Sequence, residues 1–252
     1  MEPGWDFSGR VVLVTGGTKG IGRVITERFA DAGATVIACG RNEPDALERA
    51  SFVACDVREP EQVDAMVASI VAAHGRLDVA VNNAGGAPSA DSATASPRFS
   101  EAIIRLNLLA PLHVAQAANR VMQDQDDGGS IVNIASVSGI RPSPNSAAYG
   151  AAKAGLLNLT QTLAVEWAPK VRVNAVTAGL IRTEQAGLWY GDEEGIAAVG
   201  ATVPLGRMGE PSDVASACLY LASPLAAYIS GANIIVHGGG ERPAYQSAAN
   251  PT

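Results

Sequence analysis

The sequence predicts a doubly wound α/β fold, with a parallel sheet of about seven strands and helices on both faces. Short apolar runs rich in β-branched residues alternate with longer stretches of helical pattern, and such alternation implies βαβ crossovers. The runs are continuously apolar, as in Val11-Val12-Leu13-Val14, which suits strands covered on both faces. No Pro/Gly/Ser-rich linker and no internal repeat divides the 252 residues. A single domain over 1–252 is therefore expected, within the ~250 residues that such folds reach as one unit, with 1–8 and 241–252 as tails.

Strands are expected over 11–15, 35–39, 52–55, 77–82, 130–135, 171–176 and 233–236, and helices over 21–31, 60–74, 100–123, 149–167 and 211–222. The first strand runs into the glycine-rich turn Gly16-Gly17-Thr18-Lys19-Gly20-Ile21-Gly22, which opens a helix. Only 40–51 connect the second and third strands, near the minimum for a crossover, so a helix there has two turns at most. The fourth run leads into Asn82-Asn83-Ala84-Gly85. In the third helix Asn107 stands mid-helix, where Asn is mildly unfavourable. Pro111, four residues on, has no N–H, which deprives the Asn107 carbonyl of its helical partner. The fifth run ends at Ser136, and the following helix begins with Tyr149 and carries Lys153.

Composition narrows the function. Apolar residues make up 47% and charged residues 17%, which excludes a disordered chain. A net charge of −7 argues against a nucleic-acid partner, which calls for a basic surface. No apolar run approaches the ~18 residues of a membrane span, and 1–10 lack the apolar core of a secretory signal. A cytoplasmic protein is expected. Cys39, Cys55 and Cys218 lack metal-ligand spacing and read as buried thiols; the three histidines do not cluster, so no metal is called for.

Glycines let a backbone turn sharply and approach a pyrophosphate, while the helix N-terminus offers free N–H groups and a positive dipole end. A Walker loop fails here, for Gly-Lys followed by Ser/Thr is absent, and G-x-G-x-x-G fails because Thr18 occupies its second glycine. Taken alone, the segment could be only a tight loop. Its spacing, T-G-x-x-x-G-x-G, resembles the turn of the short-chain dehydrogenase/reductase family.

The resemblance covers the chain to about Gly240. On a helix, i and i+4 share a face, so Lys153 can approach the Tyr149 phenol; a nearby cation lowers a tyrosine pKa toward working pH. Taken alone, this pair could be plain helix surface. With the glycine turn, Asn82-Asn83-Ala84-Gly85 and Ser136 in order, it is similar to the family pattern, which implies a Rossmann-type fold and the catalytic set Asn107, Ser136, Tyr149 and Lys153. Tyr149 would protonate the alkoxide formed by hydride transfer to a carbonyl carbon, and Ser136 would bond the same oxygen. Lys153 would hold the nicotinamide ribose and lower the tyrosine pKa, and Asn107 would hold a water of the proton relay.

The family's cofactor contacts fall on Gly16, Thr18, Lys19, Gly20, Ile21, Gly22, Arg41, Asp56, Val57, Asn83, Ala84, Gly85, Tyr149, Lys153, Gly179, Ile181 and Thr183. An acid at the end of the second strand suits the ribose of NAD, and an Arg nearby suits a 2′-phosphate. Here Gly40 stands in the acid's place, followed by Arg41, with Lys19 in the turn. Unless these two are ordinary surface charges, they favour NADP(H), with NAD(H) possible. Asp56 would accept from the adenine amine.

The pattern departs at Ala178, where the family usually has proline, and at His237, where it commonly has aspartate. The first should loosen a turn, and the second falls near a contact between subunits. The segment 182–209, with Trp189, Tyr190 and Asp192-Glu193-Glu194, would be the substrate lid. Its aromatic pair suggests a bulky or apolar substrate, or rings packed under a loop, and the acidic run reads as a helix start. Helices 100–123 and 149–167 resemble the family's dimer-forming pair, so a homotetramer is expected. The expected activity is NADPH-dependent reduction of a small-molecule ketone, such as a 3-oxoacyl thioester or a steroid-like ketone. An NAD-dependent secondary-alcohol dehydrogenase and a non-catalytic dinucleotide-binding scaffold are the alternatives.

Overall fold

The computed structural model describes residues 5–44 and 46–241. Seven strands, β1 (Val11–Thr15), β2 (Thr35–Gly40), β3 (Ser51–Ala54), β4 (Val79–Asn82), β5 (Gly129–Ser136), β6 (Val171–Ala178) and β7 (Asn233–Val236), form one parallel sheet in the order β3-β2-β1-β4-β5-β6-β7. The order reverses between β1 and β4. In such sheets the crevice beyond the strand C-termini at this switch point is where ligands bind. The glycine turn after β1 and the Asn-Asn-Ala-Gly segment after β4 therefore face one another.

The helices are α1 (Gly20–Asp31), α2 (Pro60–His74), α3 (Pro97–Ile104), α4 (Ala110–Asp124), α5 (Ala147–Glu166), α6 (Gly187–Tyr190), α7 (Glu193–Thr202) and α8 (Pro211–Ala222). Ile25 and Phe29 of α1 pack with Val214, Cys218 and Leu221 of α8 on one face of the sheet. Met66 and Ile70 of α2, Val114 and Met122 of α4 and Leu163 of α5 cover the other. All three cysteines are buried. Among the described residues no helix is long and apolar enough to cross a membrane.

The connection between β2 and β3 holds turns and no helix over its described residues, within the limit of two turns expected for so short a crossover. Two expectations are corrected. The helix expected over 100–123 is α3, a π-helical turn at Arg105–Leu109 and α4. Pro111 supplies no N–H to residue 107, and the chain widens by one residue, the Ala110 N–H reaching the Arg105 carbonyl. Part of the expected N-terminal tail is packed: Phe7 is buried edge-on against Phe29, with ring centroids 5.0 Å apart, and its N–H donates to the Ala32 carbonyl. Residues 1–4 and 242–252 of the tails lie outside the described residues.

Candidate active site

β1 leaves the sheet through Gly16, whose φ of 62° and that of Gly20, 55°, lie in the left-handed region open to glycine. A Cβ on Gly22 would sit 2.2 Å from the Gly16 carbonyl oxygen and 2.3 Å from Asn83 Nδ2. Asn83 Nδ2 donates to the Thr15 and Gly16 carbonyls at 2.9 and 3.1 Å. The Thr15 hydroxyl accepts from the Asn83 and Ala84 N–H groups, both at 3.0 Å. Asn83, expected to line the crevice, thus ties the glycine turn to the end of β4.

α1 begins after Lys19, which provides no side-chain cap. The Gly20 N–H donates instead to Glu184 Oε1 at 2.8 Å. An open cleft of about 1020 Å³ lies between this turn and the 182–212 segment, lined by Thr18, Lys19, Arg23, Thr183, Glu184 and Ile196 among others. A glycine-built turn whose leading amide already binds an anionic oxygen fits the pyrophosphate of a dinucleotide.

At the end of β2, a Cβ added to Gly40 would meet nothing closer than 3.7 Å, and the Thr18 hydroxyl would lie 3.8 Å away. Thr18, Gly40 and Arg41 are therefore neighbours. Lys19 and Arg41 are exposed, and among the described residues neither forms a salt bridge. The Asp56 carboxylate is held by Arg58, with Nε at 2.8 Å from Oδ1, and the guanidinium keeps its pKa down at about 2. Whatever meets Asp56 meets a carboxylate already paired. Val57 is buried in the core.

The other half of the site is assembled by β5, α5 and the π turn. Ser136 ends β5 and accepts from the Ser138 N–H at 3.2 Å. Tyr149, in the first turn of α5, is half-buried; burial raises its pKa above the ordinary phenol value, with the Ser136 hydroxyl acting in the opposite direction. Lys153 lies one turn on, its Nζ 5.8 Å from the Tyr149 ring centroid. Burial therefore outweighs the influences that would lower the phenol. The ammonium is fully buried and donates to the Ile134 carbonyl at 2.8 Å, and burial brings its own pKa down to about 8.

Asn107 is buried in the π turn. Its Nδ2 donates to the Gly86 and Ile103 carbonyls, both at 2.9 Å, and its Oδ1 accepts from the Gly86 N–H at 2.8 Å. A Cβ on Gly85 would stand 2.7 Å from Asn107 Oδ1 and 3.3 Å from Lys153 Nζ, so these three residues converge on one point. Asn82 extends the frame, donating to the Pro111 carbonyl and to Asn133 Oδ1. A buried ammonium, a phenol that retains its proton and a serine hydroxyl beside it make a site able to donate to one oxygen atom.

The remaining expected contacts lie across the crevice. Ala178 is the last residue of β6, in register with Ser136 and Val236, so it continues a strand and does not loosen a turn. A Cβ on Gly179 would meet His237 Cβ at 2.6 Å. Ile181 bridges to Gly209. Thr183 lies against Gly20, its Cγ2 3.7 Å from a Cβ added there. In the 182–209 segment Asp192 caps α7, accepting from the Gly195 N–H at 3.0 Å, and Tyr190 packs beside Ala186, Ile196 and Met208, while Trp189 is exposed. Sequence reasoning missed Glu184, Arg58, Thr15 and the Ile134 carbonyl. The Arg58 spacing from Asp56 could have indicated a pair; nothing in the sequence marks a backbone carbonyl.

A family model described as enoyl-(acyl carrier protein) reductase matches residues 16–241. The chain is 36% identical to the 3-oxoacyl-[acyl-carrier-protein] reductase of Vibrio cholerae, over 93% of this chain and 98% of that protein. It is 36% identical to the 3alpha-hydroxysteroid dehydrogenase of Mediterraneibacter gnavus, over 91% and 96%. The ligand-free structure of the Thermoplasma acidophilum aldohexose dehydrogenase superposes with a TM-score of 0.89 at 34% identity, covering 99% of this chain and 98% of that one. The chain belongs to the short-chain dehydrogenase/reductase family, as an oxidoreductase that uses a nicotinamide dinucleotide on CH–OH/C=O groups.

Proposed function

We propose that this protein reduces a ketone to a secondary alcohol with NADPH, Tyr149 serving as the general acid. The observation that carries this reading is the half-buried Tyr149 beside Ser136 with the buried Lys153 one turn on, Lys153 and Asn107 both approaching Gly85. A bound nicotinamide dinucleotide supplies the hydride. The glycine turn would hold its pyrophosphate, and Lys19 and Arg41 would hold the 2′-phosphate beside Gly40, where no carboxylate stands to repel it. Tyr149 keeps its proton at neutral pH, because burial raises its pKa, and so can deliver it to an oxygen gaining negative charge. Ser136 would donate to that same oxygen. Lys153 contributes a positive charge in a dry setting, where charge acts more strongly than in water. Two hydroxyl donors side by side suit an oxygen better than a carbon–carbon double bond.

The substrate class, a 3-oxoacyl thioester or a steroid-like ketone, rests on the relatives and on the apolar residues around the lid. Exposed Val165 on α5 and Ile235 on the edge strand β7 support the homotetramer. The test is a panel of ketones and alcohols assayed with NADPH and NADH. NADPH oxidation on some ketones is expected, with Tyr149→Phe lowering kcat by about 10²–10⁴ while nucleotide binding persists. Turnover unaffected by Tyr149→Phe, or none across the panel, would refute the proposal.

A further inference from the structure

We infer that Glu184 is an internal competitor for the dinucleotide, a carboxylate of the lid that occupies the anion position of the glycine turn until the cofactor enters. The inference rests on the proposed use of that turn and adds its regulation. Gly20 is the first residue of α1, and the capping position before it, Lys19, has an extended backbone and no side-chain bond. An uncapped helix N-terminus leaves donors open and carries the positive end of the helix dipole. The acceptor that reaches it is 164 residues away in sequence, Glu184 Oε1 at 2.8 Å from the Gly20 nitrogen. The same peptide stretch presses Thr183 Cγ2 toward Gly20, and Arg23, one turn along α1, is drawn upward in pKa by Glu27 first and also by Glu184. At the other end Arg182 is paired to Glu193 of α7, at 2.8 and 2.9 Å. The lid is thus fastened to the glycine turn on one side of residue 183 and to its own second helix on the other.

A phosphate oxygen and the Glu184 carboxylate cannot both accept from the Gly20 N–H at that distance, and two anions there repel. Cofactor entry must therefore break the Glu184 contact, so that loss of this contact and nucleotide binding are one equilibrium. A carboxylate at a helix N-terminus is worth a modest free energy when exposed, so its removal should tighten nucleotide binding by about 2- to 5-fold.

The experiment measures NADPH and NADP+ dissociation constants by fluorescence or calorimetry for wild type, Glu184→Gln and Glu184→Asp, together with hydrogen exchange of the 183–191 backbone. Tighter binding in Glu184→Gln, with faster exchange over 183–191 in the free variant, is the expected result. Glu184→Asp, which keeps the charge on a shorter arm, should fall between. Unchanged or weaker binding in Glu184→Gln overturns the inference while leaving the nucleotide site intact. Failure of every form to bind either nucleotide overturns the inference together with the proposed function.

Discussion

Lys153 gives the sharpest prediction, because the structure makes it both useful and destabilising. Its ammonium is fully buried and its pKa is brought from 10.5 down to about 8. Each tenfold change in a protonation equilibrium is about 1.4 kcal/mol, so holding the charge at neutral pH costs about 3 kcal/mol of stability. Lys153→Met fills similar space without the charge. It loses the bond to the Ile134 carbonyl, worth about 1 kcal/mol, and leaves a net gain of about 2 kcal/mol at pH 7. In a chain of 252 residues that is a rise of about 4–8 °C in Tm. The gain should depend on pH in one direction. Folded Lys153 releases its proton near pH 8 and the unfolded residue near 10.5, so between these values the unfolded state binds more protons and wild-type stability rises with pH. The advantage of Lys153→Met should shrink across that window and reverse by about 1 kcal/mol above it, once only the lost hydrogen bond remains. Thermal and urea unfolding of both proteins from pH 7 to 10.5 measures this, with activity expected to fall by at least about 10²-fold. A variant less stable than wild type at pH 7, or a difference flat with pH, would refute the reasoning.

Three further outcomes follow from particular distances. Gly40→Asp has room, since nothing lies within 3.7 Å of an added Cβ. It should shift the NADPH-to-NADH preference toward NADH by about tenfold to a hundredfold, the size of one charged hydrogen bond; an unchanged kcat/KM ratio would remove the basis for the NADP assignment. Gly22→Ala forces a methyl against the Gly16 carbonyl and Asn83, so calorimetry should find nucleotide binding abolished and stability lowered by about 1–3 kcal/mol; wild-type affinity would mean the turn is not built as described. Asp78, just before β4, is buried and accepts from the Val11 N–H at 2.8 Å and from Arg10 and Arg76. Burial pushes its carboxyl up, but Arg76, the Val11 N–H and Arg10 outweigh it, and the net pKa is lowered. Asp78→Asn should lose about 2–3 kcal/mol at pH 7 without affecting KM. A folded pKa below the unfolded one makes this stabilisation present at neutral pH and lost as pH falls through the folded value, so urea curves for the two proteins should converge in acid; an equal gap at pH 7 and in acid would contradict the pairing.

The inner strands were legible because β1, β2 and β4 are apolar runs bounded by turn residues, as burial on both faces requires, while the edge strands β3 and β7 are only partly buried and were marked by their β-branched or aromatic residues. The residues that meet at the candidate site were legible through spacing: Lys153 stands four positions after Tyr149, and Ser136 ends its strand. What spacing does not encode is which partner a side chain takes once folded. Asn83 is used by the backbone of the glycine turn, and Asp56 by Arg58. Lys153 donates to a carbonyl, and burial is the largest influence on the Tyr149 phenol. The break in the helix expected over 100–123 was legible at Pro111, but its form was not, since a missing N–H can be answered by a kink or by a wider turn.

The choice of a π turn over a kink has a physical consequence for the site. A widened turn keeps α3 and α4 continuous while displacing one residue from the regular helical ladder, a local device often found at functional sites. Here the residue at its centre is Asn107, whose amide closes a reciprocal pair with the Gly86 backbone. That pair fixes the chain just past β4, and only the absence of a Cβ at Gly85 lets Asn107 Oδ1 and Lys153 Nζ come so near it. Pro111, Asn107 and Gly85 therefore act as one unit: the proline prevents a regular helix, the asparagine uses the resulting turn to grip the loop, and the glycine leaves room for the ammonium. A buried lysine that destabilises the free protein by about 3 kcal/mol lies beside this frame and is bonded to the Ile134 carbonyl, which is why the position of the charge, and not its bare presence in the sequence, is what the fold has to specify.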